Sequence, residues 1–119
     1  MNETTLARYY RAIDEGRLDD ALGILSEKAG FVITLPSGAR RGWGREDMRE
    51  YLSGRGVPDR AHVLLRATSD DDLEFVYGRV TEGTATTGHF LAAARIDAEG
   101  HIASYQVTFD VEHVLVEGR

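Results

Sequence analysis

An unbroken alternation of apolar and polar residues runs from Ser104 to Glu112, near the end of the chain. The apolar members are Tyr105, Val107, Phe109 and Val111, and every residue between them is polar. Successive side chains on a β-strand point to opposite faces, so this pattern predicts one strand with an aromatic, apolar face and a solvated face. The aromatic face must pack against other elements or line a ligand cavity, which restricts the folds open to the chain.

Periodicity of two dominates the second half of the sequence. It begins at Asp59 and predicts strands over residues 60–69, 73–83, 86–97 and 101–113. Short acidic segments separate the first of these strands from the second and the third from the fourth, which is typical of tight hairpin turns. The four strands therefore form a meander.

Helical spacing dominates the first half. A threonine cap at Thr4 or Thr5 precedes an apolar stripe formed by Leu6, Tyr9, Tyr10 and Ile13. A second stripe is formed by Leu18, Ala21, Leu22 and Leu25, and this helix is predicted to reach its last turn at Lys28 and a left-handed cap at Gly30. A third helix is predicted over residues 44–52, ended by Gly54 and Gly56. Between the second and third helices, Phe31–Leu35 and residues 39–41 form a short hairpin.

This order of elements predicts an α+β fold, with three N-terminal helices packed on one face of a curved, mainly antiparallel sheet. The 119 residues correspond to one domain, 1–119. The formal charge of −6 argues against a general nucleic-acid binder, which needs a basic face. The absence of cysteine excludes disulfides and thiolate chemistry. No apolar run approaches a membrane span and no leader pattern is visible, so we expect a cytoplasmic protein without a membrane partner.

Three segments, taken in order, resemble the NTF2-like superfamily in its SnoaL-like and ketosteroid-isomerase-like branch. They are residues 7–20, with paired helices broken by a glycine, residues 44–52, with a glycine and a third helix, and residues 95–105, a hairpin. The resemblance implies a cone-shaped fold with a cavity between helices and sheet. This scaffold hosts isomerases, dehydratases, cyclases, epoxide hydrolases and non-catalytic subunits, so the resemblance specifies no reaction.

The resemblance to ketosteroid isomerases assigns site positions, which the chain fills only in part. The helix-1 tyrosine of those enzymes matches Tyr9. Their general base would fall near Thr34–Pro36 and their protonated aspartate near Ala92, and neither place holds a carboxylate. Steroid-isomerase chemistry is therefore not expected, because proton transfer between carbons needs a base.

We predict an apolar pocket whose wall carries Tyr9 and Arg79 as its catalytic groups. The predicted substrate-binding wall consists of Phe75, Tyr77, Phe90, Ala92, Tyr105, Val107 and Phe109. Leu73 and Ala94 share the inward parity of these residues. An inward Arg79 needs a partner, so it either pairs with Asp14 or binds an anionic or enolic oxygen of the substrate.

The histidines have separate expectations. His62 and His89 are predicted to face outward, His101 lies in a turn, and His113 is placed at the pocket mouth, where it could pair with an acid that the sequence does not assign. No histidine spacing typical of a metal site occurs, so neither a metal nor a cofactor is expected. Trp43 is interpreted as a packing or pocket-rim residue.

Two functions remain open from the sequence. The first is a pocket for a small apolar or partly anionic molecule, with a cofactor-independent isomerase, cyclase or dehydratase as the possible activity. The second is a non-catalytic dimeric binding or interaction module. Leu91 and Ala93 make the outer face of the penultimate strand apolar, which favours a homodimer through that face.

Overall fold

Three helices and six strands make up the computed structural model, which describes residues 3–54 and 59–117. The helices are α1 (Thr5–Asp14), α2 (Leu18–Ile24) and α3 (Gly44–Ser53). The strands are β1 (Leu25–Leu35), β2 (Gly38–Trp43), β3 (Arg60–Asp70), β4 (Leu73–Glu82), β5 (Ala85–Ile96) and β6 (Ile102–Asp110). The predicted third-helix stop at Gly56 lies outside the described residues. No described helix is long and apolar enough to cross a membrane.

All six strands form one curved, open sheet in the order β2-β1-β6-β5-β4-β3. Neighbouring strands are antiparallel except β1 and β6, which are parallel. The α+β class is confirmed, but three N-terminal helices is not an accurate description. The hairpin of β1 and β2 precedes α3, so the helices are interspersed with strands.

The N-terminus of helix α1 is held to the inner face of the sheet. Thr4 caps it, its hydroxyl accepting a hydrogen bond from the backbone N–H of Ala7 at 3.1 Å. The carboxylate of Glu74 on β4 accepts hydrogen bonds from the backbone N–H groups of Thr5 and Leu6 at 3.0 and 2.9 Å. These groups are otherwise unpaired donors of the first turn, so the strand completes the helix cap.

The second helix is shorter than its apolar stripe predicts. It ends at Ile24, and Leu25 begins β1, where it pairs with Ile102. Leu25 is buried in this arrangement, as it would be on a helix, because β1 also faces the core. Lys28 and Gly30 are therefore strand residues, and the predicted helix end at these positions is wrong.

A β-bulge sets the register of the β4–β5 hairpin. Beside the turn, Glu82 opposes Ala85 and Thr81 opposes Thr86, and this register would continue to place Tyr77 opposite Phe90. The bulge between Val80 and Thr81 shifts the pairing by one, so that Gly78 opposes Phe90. A one-residue shift exchanges the two faces of a strand. The even-numbered residues of β4 therefore face the core.

The last strand ends at Asp110, three residues earlier than predicted. The Asp110 carboxylate accepts hydrogen bonds from the backbone N–H groups of Glu112 and His113 at 2.9 and 2.6 Å. These two bonds turn the chain out of the sheet, and they lower the pKa of Asp110. His113 is exposed beyond the strand, so its predicted inward placement at the pocket mouth is wrong.

Candidate acid–base site on the inner face

A cluster of aromatic rings fills the space between α1 and the middle of the sheet. The ring of Tyr10 lies 4.6 Å from the His62 ring and 5.1 Å from the Phe90 ring, measured between centroids. Phe90 meets His62 edge-on at 5.2 Å. The hydroxyl groups of Tyr10 and Tyr105 form a hydrogen bond with each other. Each ring is thus fixed by its neighbours in a largely dry environment.

His62 is held at two points by a single carboxylate. Its ring Nδ1 lies 2.7 Å from Asp14 Oδ1, and its backbone N–H donates to Asp14 Oδ2 at 2.7 Å. The side chain of His62 is 2% exposed and that of Asp14 is 18% exposed. Asp14 is the last residue of α1 and His62 lies on β3, the edge strand of the sheet. The backbone N–H of His62 has no further strand to pair with, and the carboxylate of Asp14 on α1 accepts its hydrogen bond instead.

This geometry orients the imidazole for proton transfer. A carboxylate at Nδ1 places the proton of a neutral ring on that nitrogen, which leaves the lone pair of Nε2 as the basic site. The same carboxylate stabilises the ring when it becomes charged. A base oriented by a third group is the arrangement that general acid–base and nucleophilic catalysis share.

The cavity beside this pair is small. It measures about 10 Å³, which is room for about one water molecule. Its inner wall includes His62, Tyr9, Tyr10 and Tyr105, and its partly buried rim is formed by Ile13, Tyr51, Leu52 and Phe109. Two side chains that the sequence assigns to a pocket wall, Phe90 and Tyr105, therefore pack closely against the tyrosines of α1.

The sequence matches the family model of the SnoaL-like domain over residues 6–105, which include both Asp14 and His62. The chain belongs to the SnoaL-like family. A comparison with curated proteins gives no match.

Solved structures support the same fold for this SnoaL-like chain. A candidate ketosteroid isomerase from Kribbella flavida is 15% identical with a TM-score of 0.77, covering 97% of this chain and 82% of that one. A candidate polyketide cyclase from Sinorhizobium meliloti is 16% identical, with a TM-score of 0.70 and coverages of 87% and 92%. SalBIII, an epoxide hydrolase/cyclase-like enzyme with a role in pyran ring formation in the polyether salinomycin, is 17% identical, with a TM-score of 0.72 and coverages of 89% and 88%. At these identities the likeness shows the fold alone.

Most residues predicted for the inner wall lie on the inner face of the SnoaL-like sheet. Tyr9, Phe90, Ala92, Tyr105 and Val107 are buried, and Phe109 is partly buried at the rim. The Tyr9 ring meets those of Tyr10 and Tyr105 edge-on, each at 5.6 Å. Their roles in catalysis or substrate binding remain predictions.

The three predicted site residues on β4 lie on the other face. Phe75, Tyr77 and Arg79 oppose Ala93, Leu91 and His89 on β5, all of which point outward. Tyr77 stacks on His89 at 5.8 Å, and its hydroxyl accepts a hydrogen bond from the backbone N–H of Leu115 at 2.7 Å. The bulge near Val80 is the physical reason for this correction. Arg79 consequently cannot pair with Asp14, which lies on the inner side.

The acid–base pair itself was missed by the sequence reasoning, which predicted that His62 faces outward. Asp14 carried a usable signal, because it follows Tyr10 by four residues and so shares the apolar face of α1. A carboxylate on such a face needs a partner. Within the described parts of the chain, no three histidine, aspartate or glutamate side chains converge as metal ligands would.

Proposed function

We propose that this SnoaL-like protein is a cofactor-independent acid–base enzyme that moves a proton on a small carbonyl compound, in an isomerase, cyclase or dehydratase reaction. The carrying observation is the buried His62 ring, oriented through Nδ1 by Asp14. The similar structures include a candidate isomerase, a candidate cyclase and a cyclase-like enzyme, which supports this reaction class.

In the proposed step, Nε2 of His62 removes a proton from the carbon next to the carbonyl. The electron pair of the broken C–H bond moves into the carbonyl, and the negative charge develops on its oxygen. The hydroxyl pair of Tyr10 and Tyr105 lines the same cavity and would donate to that oxygen. His62 then returns the proton to the substrate, so the histidine ends the cycle neutral.

The cavity has room for about one water molecule, so the proposed substrate must displace side chains of the rim to reach His62. Ile13, Tyr51, Leu52 and Phe109 are only partly buried, so their movement would enlarge the space beside His62. Tyr9 is proposed to orient the bound molecule from the floor of the site, next to Tyr10 and Tyr105.

Exchange of carbon-bound hydrogen for deuterium tests this function without knowledge of the natural substrate. Small ketones, keto acids and β-dicarbonyl compounds are incubated with the protein in deuterated water, and exchange is followed by NMR. We expect catalysed exchange for at least one class and a loss of about 100-fold or more in His62→Asn. The matched control is His89→Asn on the outer face, which should exchange at the wild-type rate. Exchange that survives His62→Asn, or no exchange by the wild-type protein with any class, contradicts the proposal.

A non-catalytic dimeric module is the second candidate, and two observations favour it. The cavity is about 10 Å³, and the outer face exposes Leu91, which is 54% accessible, beside Phe75. An apolar outer face is suited to a homodimer contact. Sedimentation of the wild-type protein and of Leu91→Glu tests this candidate, which expects a dimer that the substitution dissociates. A monomeric wild-type protein contradicts it.

A further inference from the structure

A second candidate site lies on the opposite face of the sheet, away from His62. It is a groove of about 490 Å³, within the range of about 300–1,000 Å³ that is usual for small-molecule sites. Trp43, Lys28, Arg41 and Arg95 surround it, and Ser104 and Gln106 lie on its floor. Nothing in the proposed acid–base chemistry uses any of these side chains.

The sheet register explains why a groove forms here. Trp43, Gly30, Ser104 and Arg95 form one row across the four strands β2, β1, β6 and β5. The two central members are small and the two outer members are large. With strands about 4.8 Å apart, the backbones of Trp43 and Arg95 are separated by about 14 Å. Arg41 lies two residues from Trp43 on β2 and faces the same way.

Trp43 forms an aromatic platform at one end of the groove. A Cβ atom placed on Gly30 would lie 2.6 Å from Cζ3 and 3.0 Å from Cε3 of the indole, so the ring lies against the Gly30 backbone. The side chain is nevertheless 76% exposed. One face of the indole is thus supported and the other is open to solvent, where a planar ring can stack.

Three cationic side chains lie around this platform. Among residues 3–54 and 59–117, none of Lys28, Arg41 and Arg95 forms an ion pair. Arg95 also borders a shallow depression that contains Asp71, Asp72 and Asp97, which offset part of its charge. Lys28 and Arg41 therefore dominate the positive charge on the side of the groove nearer to Trp43.

These observations select the kind of occupant. A two-fold contact centred on this groove would oppose its cations to those of the second copy and bring like charges together. The net charge of −6 disfavours a long polyanion such as a nucleic acid, whereas a small anion experiences little of that repulsion. We propose that the groove binds a planar aromatic molecule carrying one or two negative charges, with its ring on Trp43 and its anionic group between Arg41 and Lys28.

Trp43 is the single tryptophan of the chain, so its fluorescence reports directly on the groove. Adenosine monophosphate and benzoate serve as probes, and they distinguish a nucleotide from an aromatic carboxylate. Adenosine and benzamide keep the ring without the charge, and inorganic phosphate keeps the charge without the ring. We expect quenching that saturates with at least one anionic probe and affinities at least tenfold weaker for its uncharged or ring-free counterpart.

The double variant Lys28→Gln/Arg41→Gln should bind the anionic probe about tenfold or more weakly, because it lacks two charged hydrogen-bond donors. Arg8→Gln, an exposed arginine on α1, is the matched control and should bind as the wild type does. His62→Asn should also leave this binding unchanged, which separates the groove from the acid–base site. Equal affinity for charged and uncharged probes, stronger binding of a polyglutamate peptide than of any planar anion, or no effect of the double variant would overturn the proposal.

Discussion

The two faces of this sheet differ in how their polar groups are paired. On the inner face, the polar groups Asp14, His62, Tyr10 and Tyr105 have partners within the protein, and the cavity beside them is about 10 Å³. On the outer face, Lys28 and Arg41 lie around a groove of about 490 Å³ and have no described ion-pair partner. An unpaired polar group that is buried raises the free energy of the folded protein, whereas an exposed one forms hydrogen bonds with water. The inner groups are therefore positioned in advance, and the outer groups remain available to a ligand.

The same contrast predicts a large effect of substitutions at the inner pair. Asp14→Asn should reduce exchange of carbon-bound hydrogen by about 100-fold or more, because it removes the charge that stabilises protonated His62. Exchange rates of Asp14→Asn, His62→Asn and the double variant form the test. The two residues act as one unit, so the double variant should be little worse than His62→Asn alone. If the loss in the double variant equals the product of the losses in the two single variants, the residues act independently.

Two glycines compare the packing of the two faces. A Cβ at Gly78 would lie 2.5 Å from the carbonyl oxygen of Val63 and 2.8 Å from the Phe90 ring, so backbone must move. At Gly30 the three nearest atoms to the added carbon all belong to the Trp43 ring, which is exposed and can turn. Gly78→Ala should lower the free energy of unfolding by about 1–3 kcal/mol, and Gly30→Ala by less than about 0.5 kcal/mol.

Denaturant unfolding of both variants measures this difference. Gly30→Ala should in addition change the Trp43 emission, because the indole can no longer lie on the backbone. Equal losses of stability would show that the outer face is packed as closely as the inner face.

A smaller effect is expected where the sheet caps α1. Glu74→Gln replaces the carboxylate that accepts from Thr5 and Leu6 with a neutral amide that has one acceptor oxygen. The free energy of unfolding should fall by about 1–2 kcal/mol, measured by denaturant titration. Glu112→Gln, an exposed glutamate after β6, is the matched control and should change stability by less than about 0.5 kcal/mol. A similar loss of stability in both variants would show that the Glu74 carboxylate does not stabilise the N-terminus of α1.

The smallest effect is expected at Arg79, the residue that the sequence assigned to catalysis. It lies on the outer face beside His89, across the sheet from the acid–base pair. Arg79→Gln should change the exchange rate by less than about twofold, since a partly exposed charge on the far side of the sheet has little influence on groups buried on the inner side. A loss of exchange rate comparable to that of His62→Asn would mean that Arg79 acts at the inner site, contrary to its position on the outer face.

Local pattern was sufficient for most of the fold. The positions of α1, α3 and the first three meander strands follow from spacing, caps and turns, which act over a few residues, whereas the last strand ends earlier than its pattern predicts. The inward placement of Phe90, Ala92, Tyr105 and Val107 also follows from alternation. The end of α2 does not, because Leu25 is buried whether it continues the helix or begins β1. Pairing with Ile102 decides between them, and that contact is distant in sequence.

By itself, the sequence determined the α+β class, the aromatic inner wall of β5 and β6, and the amphipathic face of α1, because each depends on periodicity within one element. Only the tertiary structure decided which face of β4 points inward, since a single bulge near Val80 exchanges the two faces. It also decided that Asp14 meets His62 across 48 positions of the chain. The residues of the acid–base site are visible in the sequence, but packing of α1 against the edge strand is what makes them a pair.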